Sequence, residues 1–209
     1  AKGDVNTEVY NAVVKATEEL NKALAVDPQD TKAIEAATDV LNNATHELEK
    51  ASAAKELSNA IEAAEKAKAD AEKAQNRFET ANGDVNAEVY EAVAKAIEEL
   101  NKALAAKPQD SKAIEAATDM LNKATQELEK ASAAKELSNA IEAAEKAKAE
   151  AEKAQNRYEV AEGDVDAEVF EAVAKVIEEL NKALTAVPQD TKAIEAATDI
   201  LNKATQDLE

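Results

Sequence analysis

The sequence predicts an all-α fold, in which tandem antiparallel three-helix bundles are joined by continuous helices into an elongated rod. Alanine accounts for more than half of the 45% hydrophobic content, and aromatic residues make up only 2%, a composition that favours narrow bundles because alanine lets helices approach closely. One unit recurs every 80 residues. Within it, apolar residues recur every three or four positions, which is the period of an amphipathic helix.

The repeat divides the chain into one partial and two complete units. The sequence Gly-Asp-Val begins at residues 3, 83 and 163, and prolines stand at 28, 108 and 188; these account for every glycine and proline. Residues 51–130 and 131–209 align without a gap and differ at about a dozen positions. Residues 1–50 match the last part of each unit. We therefore predict two bundles, at 51–130 and 131–209, and a partial repeat at 1–50.

Three amphipathic helices are predicted in the unit 131–209. The first carries a heptad-like alanine seam, which Leu137 and Ile141 widen; the seam consists of Ala140, Ala144, Ala147, Ala151, Ala154, Tyr158 and Ala161. The second helix, from about Asp166 to Ala186, has an apolar face formed by Phe170, Val173, Ile177, Leu180 and Leu184. The third presents Ile194, Ala197, Leu201, Ala204 and Leu208. Short connections between them predict an antiparallel bundle.

Two turns separate these helices. Gly163 supplies backbone freedom past the first helix, and Asp164 or Asp166 is expected to cap the second. Tyr158 and the aromatic residue that opens the second helix are expected to pack beside this turn. Residues 187–191 form the second turn, and we expect Pro188 in the first turn of the third helix, where its missing N–H has no cost.

The joint between units is predicted to be helical. From about Asp110 to Ala161 there is neither glycine nor proline, so the third helix of one unit should run into the first helix of the next. Such a helix of about 50 residues is about 75 Å long. Residues 1–50 then form a hairpin without a first helix, and the sequence leaves open what packs against it. In the alternative, residues 52–80 fold back on residues 5–50, which requires a turn near Ala51–Ala54 that nothing encodes.

Charge and composition exclude several classes of function. The net charge is −19 and only two arginines occur, which argues against binding nucleic acid or an anionic membrane surface. No run of about 18 apolar residues appears, so we expect no membrane insertion in this stretch. The chain contains no cysteine and therefore no disulfide or thiolate metal site. The expected partners are neighbouring repeats within the same chain, which should be monomeric.

The sequence indicates no catalytic, metal or cofactor site, and we expect no enzyme activity and no cofactor. His46 is the only histidine, and the matching residues in the other copies are Gln126 and Gln206. The stretch 82–88 offers oxygen ligands near Gly83 but lacks the spacing of a calcium loop, so helix capping explains it more simply. Asn43 begins a glycosylation sequence that occurs in one copy only.

The unit resembles the FIVAR family, three-helix repeats of Gram-positive surface proteins. The resemblance lies in residues 134–137 through Ile141 and Ala144, in the aromatic residue opening the second helix, and in the segments 180–184 and 189–204. It covers nearly the whole chain. It implies a cell-wall-associated adhesin or biofilm protein, located outside the cell, with these repeats as its rod.

Two functions remain open. In the first, the repeats are a structural spacer or stalk, since each near-identical copy adds length whereas an enzyme gains little from a second copy of one site. In the alternative, the chain is a helical binding module for a host protein such as an immunoglobulin, albumin or a matrix component. The second function predicts an exposed apolar or aromatic patch that recurs on one helix face.

Overall fold

The fold is all-helical over the residues that the computed structural model describes, 7–80, 87–160 and 167–209. They form six α-helices and no strand: α1 (Thr7–Ala25), α2 (Thr31–Thr80), α3 (Ala87–Ala105), α4 (Ser111–Val160), α5 (Ala167–Thr185) and α6 (Thr191–Leu208). The predicted all-α class is confirmed. The second helix of the unit 131–209, expected from about Asp166, is α5.

Two of the helices are much longer than the others. Helices α2 and α4 each contain 50 residues, and α4 crosses the joint at Lys130–Ala131 without interruption. The predicted continuous helix between repeats is therefore confirmed. Residues 51–54 lie inside α2, so the alternative in which the chain turns back there is wrong.

By contacts, the chain divides into two compact units. The first contains the chain up to Asn76 together with Glu91–Thr125, and the second contains Arg77–Tyr90 and Gln126–Glu209. The boundaries predicted after residues 50 and 130 describe the repeat in the sequence and stay a prediction.

In the second unit, one core joins the second half of α4 to α5 and α6. It comprises five alanines of α4 and five aliphatic residues of α5 and α6: Ala140, Ala144, Ala147, Ala151, Ala154, Val173, Leu180, Ile194, Leu201 and Leu208. Leu137, Ile141, Phe170, Ile177 and Leu184 pack against it. The predicted apolar faces are confirmed for these residues. The expected contact of Tyr158 with Phe170 lies outside the described side chains, as does Ala161.

The alanines and the large residues contribute differently to this core. Burial of apolar area stabilises by about 25 cal/mol per Å², so leucine and isoleucine supply most of the free energy. Alanine supplies little area, but a helix with an alanine face can approach the other two closely and exclude water from their side chains. The stability of the unit therefore depends on large residues of α5 and α6, which the alanine face of α4 covers.

The turn before each third helix uses the same polar contacts. Asp190 is the N-cap of α6, and its carboxylate accepts from the backbone N–H of Lys192 at 2.9 Å and of Ala193 at 3.3 Å. The side chain of Gln189 donates to the carbonyl of Leu184 at 2.7 Å, near the end of α5. These contacts satisfy backbone groups that helix ends leave unpaired.

The expected position of Pro188 is wrong. Helix α6 begins at Thr191, so Pro188 lies two residues before the N-cap Asp190 and not in the first helical turn. The bond between Val187 and Pro188 is cis. The caps predicted at Asp164 or Asp166, and the role of Gly163, lie outside the described residues.

Candidate functional surfaces

The histidine and the glycosylation sequence both lie on a helix surface. His46 and Asn43 are exposed residues of α2. In the part of the chain that the structure describes, no group of three histidine, aspartate or glutamate side chains is placed to hold a metal ion. Most of the oxygen-rich stretch 82–88 lies outside that part. Of these candidates the structure describes His46 and Asn43, which lie on the exposed surface of one helix, α2.

A polar groove lies between α4 and α6 of the second unit. Its volume is about 410 Å³, and it is lined by Glu150, Lys153, Arg157, Asn202, Thr205, Gln206 and Glu209. Across it, the Arg157 guanidinium lies 3.5 Å from a carboxylate oxygen of Glu209, and both side chains are at least half exposed. Oppositely charged side chains that face each other in an open groove link the two helices and leave little net charge for a ligand.

A cluster of three charged side chains lies on α3. The ammonium of Lys102 lies 2.9 Å from a carboxylate oxygen of Glu98 and 2.8 Å from one of Glu99. The hydrogen bonds to Glu99 and Glu98 raise the pKa of Lys102, and the hydrogen bond from Lys102 lowers the pKa of Glu98. All three side chains are exposed, so this cluster is a solvated surface of the helix.

One hydrogen bond between helices occurs in both units. Lys148 on α4 donates to the amide oxygen of Asn181 on α5 at 2.9 Å. Its counterpart in the first unit is Lys68 on α2, which donates to Asn101 on α3 at 3.1 Å. This repetition shows that the alanine-bearing helix and the second helix meet in the same register in both units.

Exposed apolar side chains recur at one position of the repeat. Val40, Met120 and Ile200 are 56%, 51% and 57% exposed, and they are separated by 80 residues. Their surfaces point away from the core. One large apolar residue per copy falls short of a contiguous patch, although it recurs on the same helix face.

An incompletely covered apolar surface lies on the hairpin, which here means α1 together with residues 31–50 of α2. It carries the same large residues as the second unit at equivalent positions, and these are only half-buried: Val13, Leu20, Ile34, Leu41 and Leu48. Their equivalents in the second unit are 0–3% exposed: Val173, Leu180, Ile194, Leu201 and Leu208. The hairpin therefore presents an apolar face that the complete unit buries.

Buried threonines are a feature that the sequence interpretation missed. Thr198 and Thr205 are 6% and 9% exposed, and each hydroxyl donates to a carbonyl four residues earlier, that of Ile194 or Leu201. They continue the three-and-four spacing between Ile194 and Leu208, which is the signal that would have revealed them. A hydroxyl satisfied by its own helix is compatible with a core position.

The comparisons with known proteins give no identification. No family model, no curated protein and no solved structure matches this sequence. Among the described helices, none is long and apolar enough to cross a membrane.

Proposed function

We propose that these repeats are a structural spacer, part of the stalk of a bacterial cell-surface adhesin or biofilm protein anchored in the cell wall. The observation that supports this most directly is the continuity of α4. It runs for 50 residues from the last helix of one sequence repeat into the first helix of the next. A joint built from uninterrupted helix has no flexible linker, which suits a spacer that must hold its length.

The packing of the second unit also supports a spacer. Its buried large side chains pack in one core that α4, α5 and α6 share. Contacts of this kind are mostly local in sequence, and bundles that depend on them fold quickly. Repeats that share a helix are coupled to their neighbours, as in other quasi-linear repeat proteins. The location outside the cell follows from the resemblance to FIVAR repeats alone.

Small-angle X-ray scattering on the monomer, with mass checked by light scattering, tests this proposal. A compact particle of this length should have a radius of gyration of about 17 Å. A rod of two and a half repeats should instead reach about 110 Å from end to end. A compact monomer would overturn the spacer.

A hinge variant tests the joint itself. Inserting Gly–Pro between Lys130 and Ala131 should interrupt the helix at the joint, because proline and glycine disfavour helix. The distribution of distances within the particle should then become shorter and broader, while the helicity stays nearly unchanged. The matched control inserts Gly–Pro between Lys107 and Pro108, within an existing turn. Unchanged distances in the joint variant would show that the continuous helix does not set the spacing.

A second candidate is the binding module for a host protein. The observation that favours it is the exposed aliphatic residue at the same position of each copy, Val40, Met120 and Ile200. Replacing all three with glutamine and measuring binding to immobilised immunoglobulin, albumin and fibrous matrix proteins tests it. Binding by the original chain that the triple variant loses would support this candidate over the spacer.

A further inference from the structure

We propose that the apolar face of the hairpin is a docking site for one further alanine-seam helix with the sequence of residues 51–80. The proposal uses the repeat arrangement of the proposed function, but it requires neither a rod nor a cell surface. It commits to one occupant because the chain itself shows what covers the same residues elsewhere.

Burial identifies the occupant. In the second unit, Leu180 and Ile194 are fully buried in a core that also contains Ala144 and Ala151 of α4. Their equivalents in the hairpin are half-buried. The difference between the two regions is the alanine-bearing helix, which the hairpin lacks. A helix with the same seam is therefore the surface complementary to this face.

The first unit repeats the same association. Leu100 and Ile114 are fully buried there, and so are Ala64 and Ala71 of α2, all within one compact unit. Residues 51–80 cannot serve the hairpin as well, because α2 continues through residues 51–54 without a turn. The helix that completes the hairpin is therefore a further helix with this seam, and not residues 51–80.

Polar groups on the rim of the hairpin match those of such a helix. Asn181, which accepts from Lys148 on the alanine-bearing helix, has its equivalent in the exposed Asn21. Glu209, which pairs with Arg157 at 3.5 Å, has its equivalent in the exposed Glu49. An added copy of residues 51–80 brings a lysine opposite Asn21 and an arginine opposite Glu49, so the two surfaces are complementary in charge as well as shape.

The hairpin departs from the second unit at three positions of this face, where Tyr10, Ala16 and Thr17 replace Phe170, Val176 and Ile177. Thr17 stands where α5 has Ile177, which packs against the core. The Thr17 hydroxyl donates to the carbonyl of Val13 at 2.8 Å, so it is satisfied without a partner helix. The remaining large residues of the face are unchanged. Because Ala16 and Thr17 offer less apolar area than Val176 and Ile177, we expect docking to be weaker than in the second unit.

The 80-residue period sets the design of the test. A copy of residues 51–80 joined directly to Ala1 stands at the same sequence distance from the hairpin as residues 51–80 do from α3. Amide hydrogen exchange is then measured on the original and extended chains. We expect exchange at Val13, Leu20 and Leu41 to slow by about tenfold or more, since their side chains become covered.

A matched control separates specific docking from a general effect of the added segment. In the control extension, the copies of Ala64 and Ala71 are replaced by glutamate, which would bury unpaired charge in the seam and should abolish the protection. Amides of Val173 and Leu180 serve as an internal reference for folding of the rest of the chain. Equal protection by both extensions, or none by either, would overturn the proposal.

Light scattering on the same samples would detect a second copy of the chain as the occupant of this face. If the original chain is dimeric and its hairpin is already protected, a second copy covers the face and the proposal is wrong. If the original chain is monomeric and only the intact extension protects the hairpin, the proposal stands. Either result is independent of the scattering test of the spacer, because it reports on residues 7–50 and not on the length of the particle.

Discussion

The hairpin and the second unit present nearly the same residues in two different environments. Leu20 and Leu180 occupy equivalent positions, yet Leu20 is half-buried and Leu180 is fully buried. Helix α1 buries only Ala16, whereas α5 buries Val173 and Leu180. Two helices with matching apolar faces therefore do not make a complete core on their own. The alanine-bearing helix, which has the least apolar area of the three, is what excludes water.

A cavity mutation at the equivalent leucines should give the largest contrast. We expect Leu180→Ala to lower the free energy of unfolding of the second unit by about 2–5 kcal/mol, because a fully buried side chain is lost. Leu20→Ala should cost the hairpin clearly less, since that side chain already contacts solvent. Residue-specific hydrogen exchange in urea measures both changes within one molecule. Equal costs at the two positions would show that burial in the hairpin is complete in solution.

Overpacking the seam should give the next largest effect. Ala151 is fully buried and Ala149 is exposed on the same helix. We expect Ala151→Leu to destabilise the second unit by about 1–3 kcal/mol, since the larger side chain separates the helices. Ala149→Leu should change stability by less than about 0.5 kcal/mol. Thermal unfolding followed by circular dichroism compares the variants, and similar losses would show that the seam tolerates larger residues.

Capping should be independent of the missing helix. Asp30 and Asp190 make the same contacts, and each carboxylate accepts from the second and third backbone N–H groups that follow it. We expect Asp30→Ala and Asp190→Ala each to cost about 1 kcal/mol locally. Exchange of amides in the first turns of α2 and α6 measures the cost. A much larger loss at Asp190 would mean that the cap also supports the core.

The helices and their buried faces could be predicted from the sequence, whereas the helix that covers the hairpin could not. The spacing of Val173, Leu180, Ile194 and Leu201 was enough to predict which faces are buried, because the helical period forces these residues onto one side. The absence of glycine and proline around Lys130 predicted the continuous helix. The position of Pro188 was predicted incorrectly, since the capping ability of Asp190 fixes where α6 begins.

The exposed face of the hairpin was harder to predict, because its exposure depends on the absence of an alanine-bearing helix. Five large residues of the hairpin face are identical to core residues of the second unit, so periodicity alone classifies them as core. The repeat predicted that residues 1–50 lack a first helix, and the burial of Leu20 and Leu180 then shows that this face of the hairpin is less completely covered. The buried threonines were missed for a similar reason: hydrophobicity scores do not register that the hydroxyl of Thr198 bonds to its own helix.

The smallest expected effect concerns surface charge, where the copies also differ. In the hairpin, Lys22 contacts the single carboxylate of Glu19 at 3.1 Å, whereas Lys102 contacts both Glu98 and Glu99. The pKa of Glu98 is lower in the folded chain than its ordinary value of 4.5. The contribution of this pair to stability is therefore fully present above pH 4.5 and is lost as the pH falls through the lowered pKa. The pKa of Lys102 is higher in the folded chain than its ordinary value of 10.5. The contribution of Lys102 to stability is therefore fully present below pH 10.5 and is lost as the pH rises through the raised pKa.

Carboxyl titration by nuclear magnetic resonance checks this assignment. In the Lys102→Met variant, the pKa of Glu98 should rise towards its ordinary value, because the hydrogen bond from the ammonium is removed. High salt should produce part of the same rise in the original chain, since these side chains are exposed and screened. The variant Lys22→Met provides the control, as it removes a pair in another copy and should leave Glu98 unchanged. A Glu98 titration that is the same with and without Lys102 would show that the cluster does not persist in solution, and that the surfaces of the copies differ less than their cores.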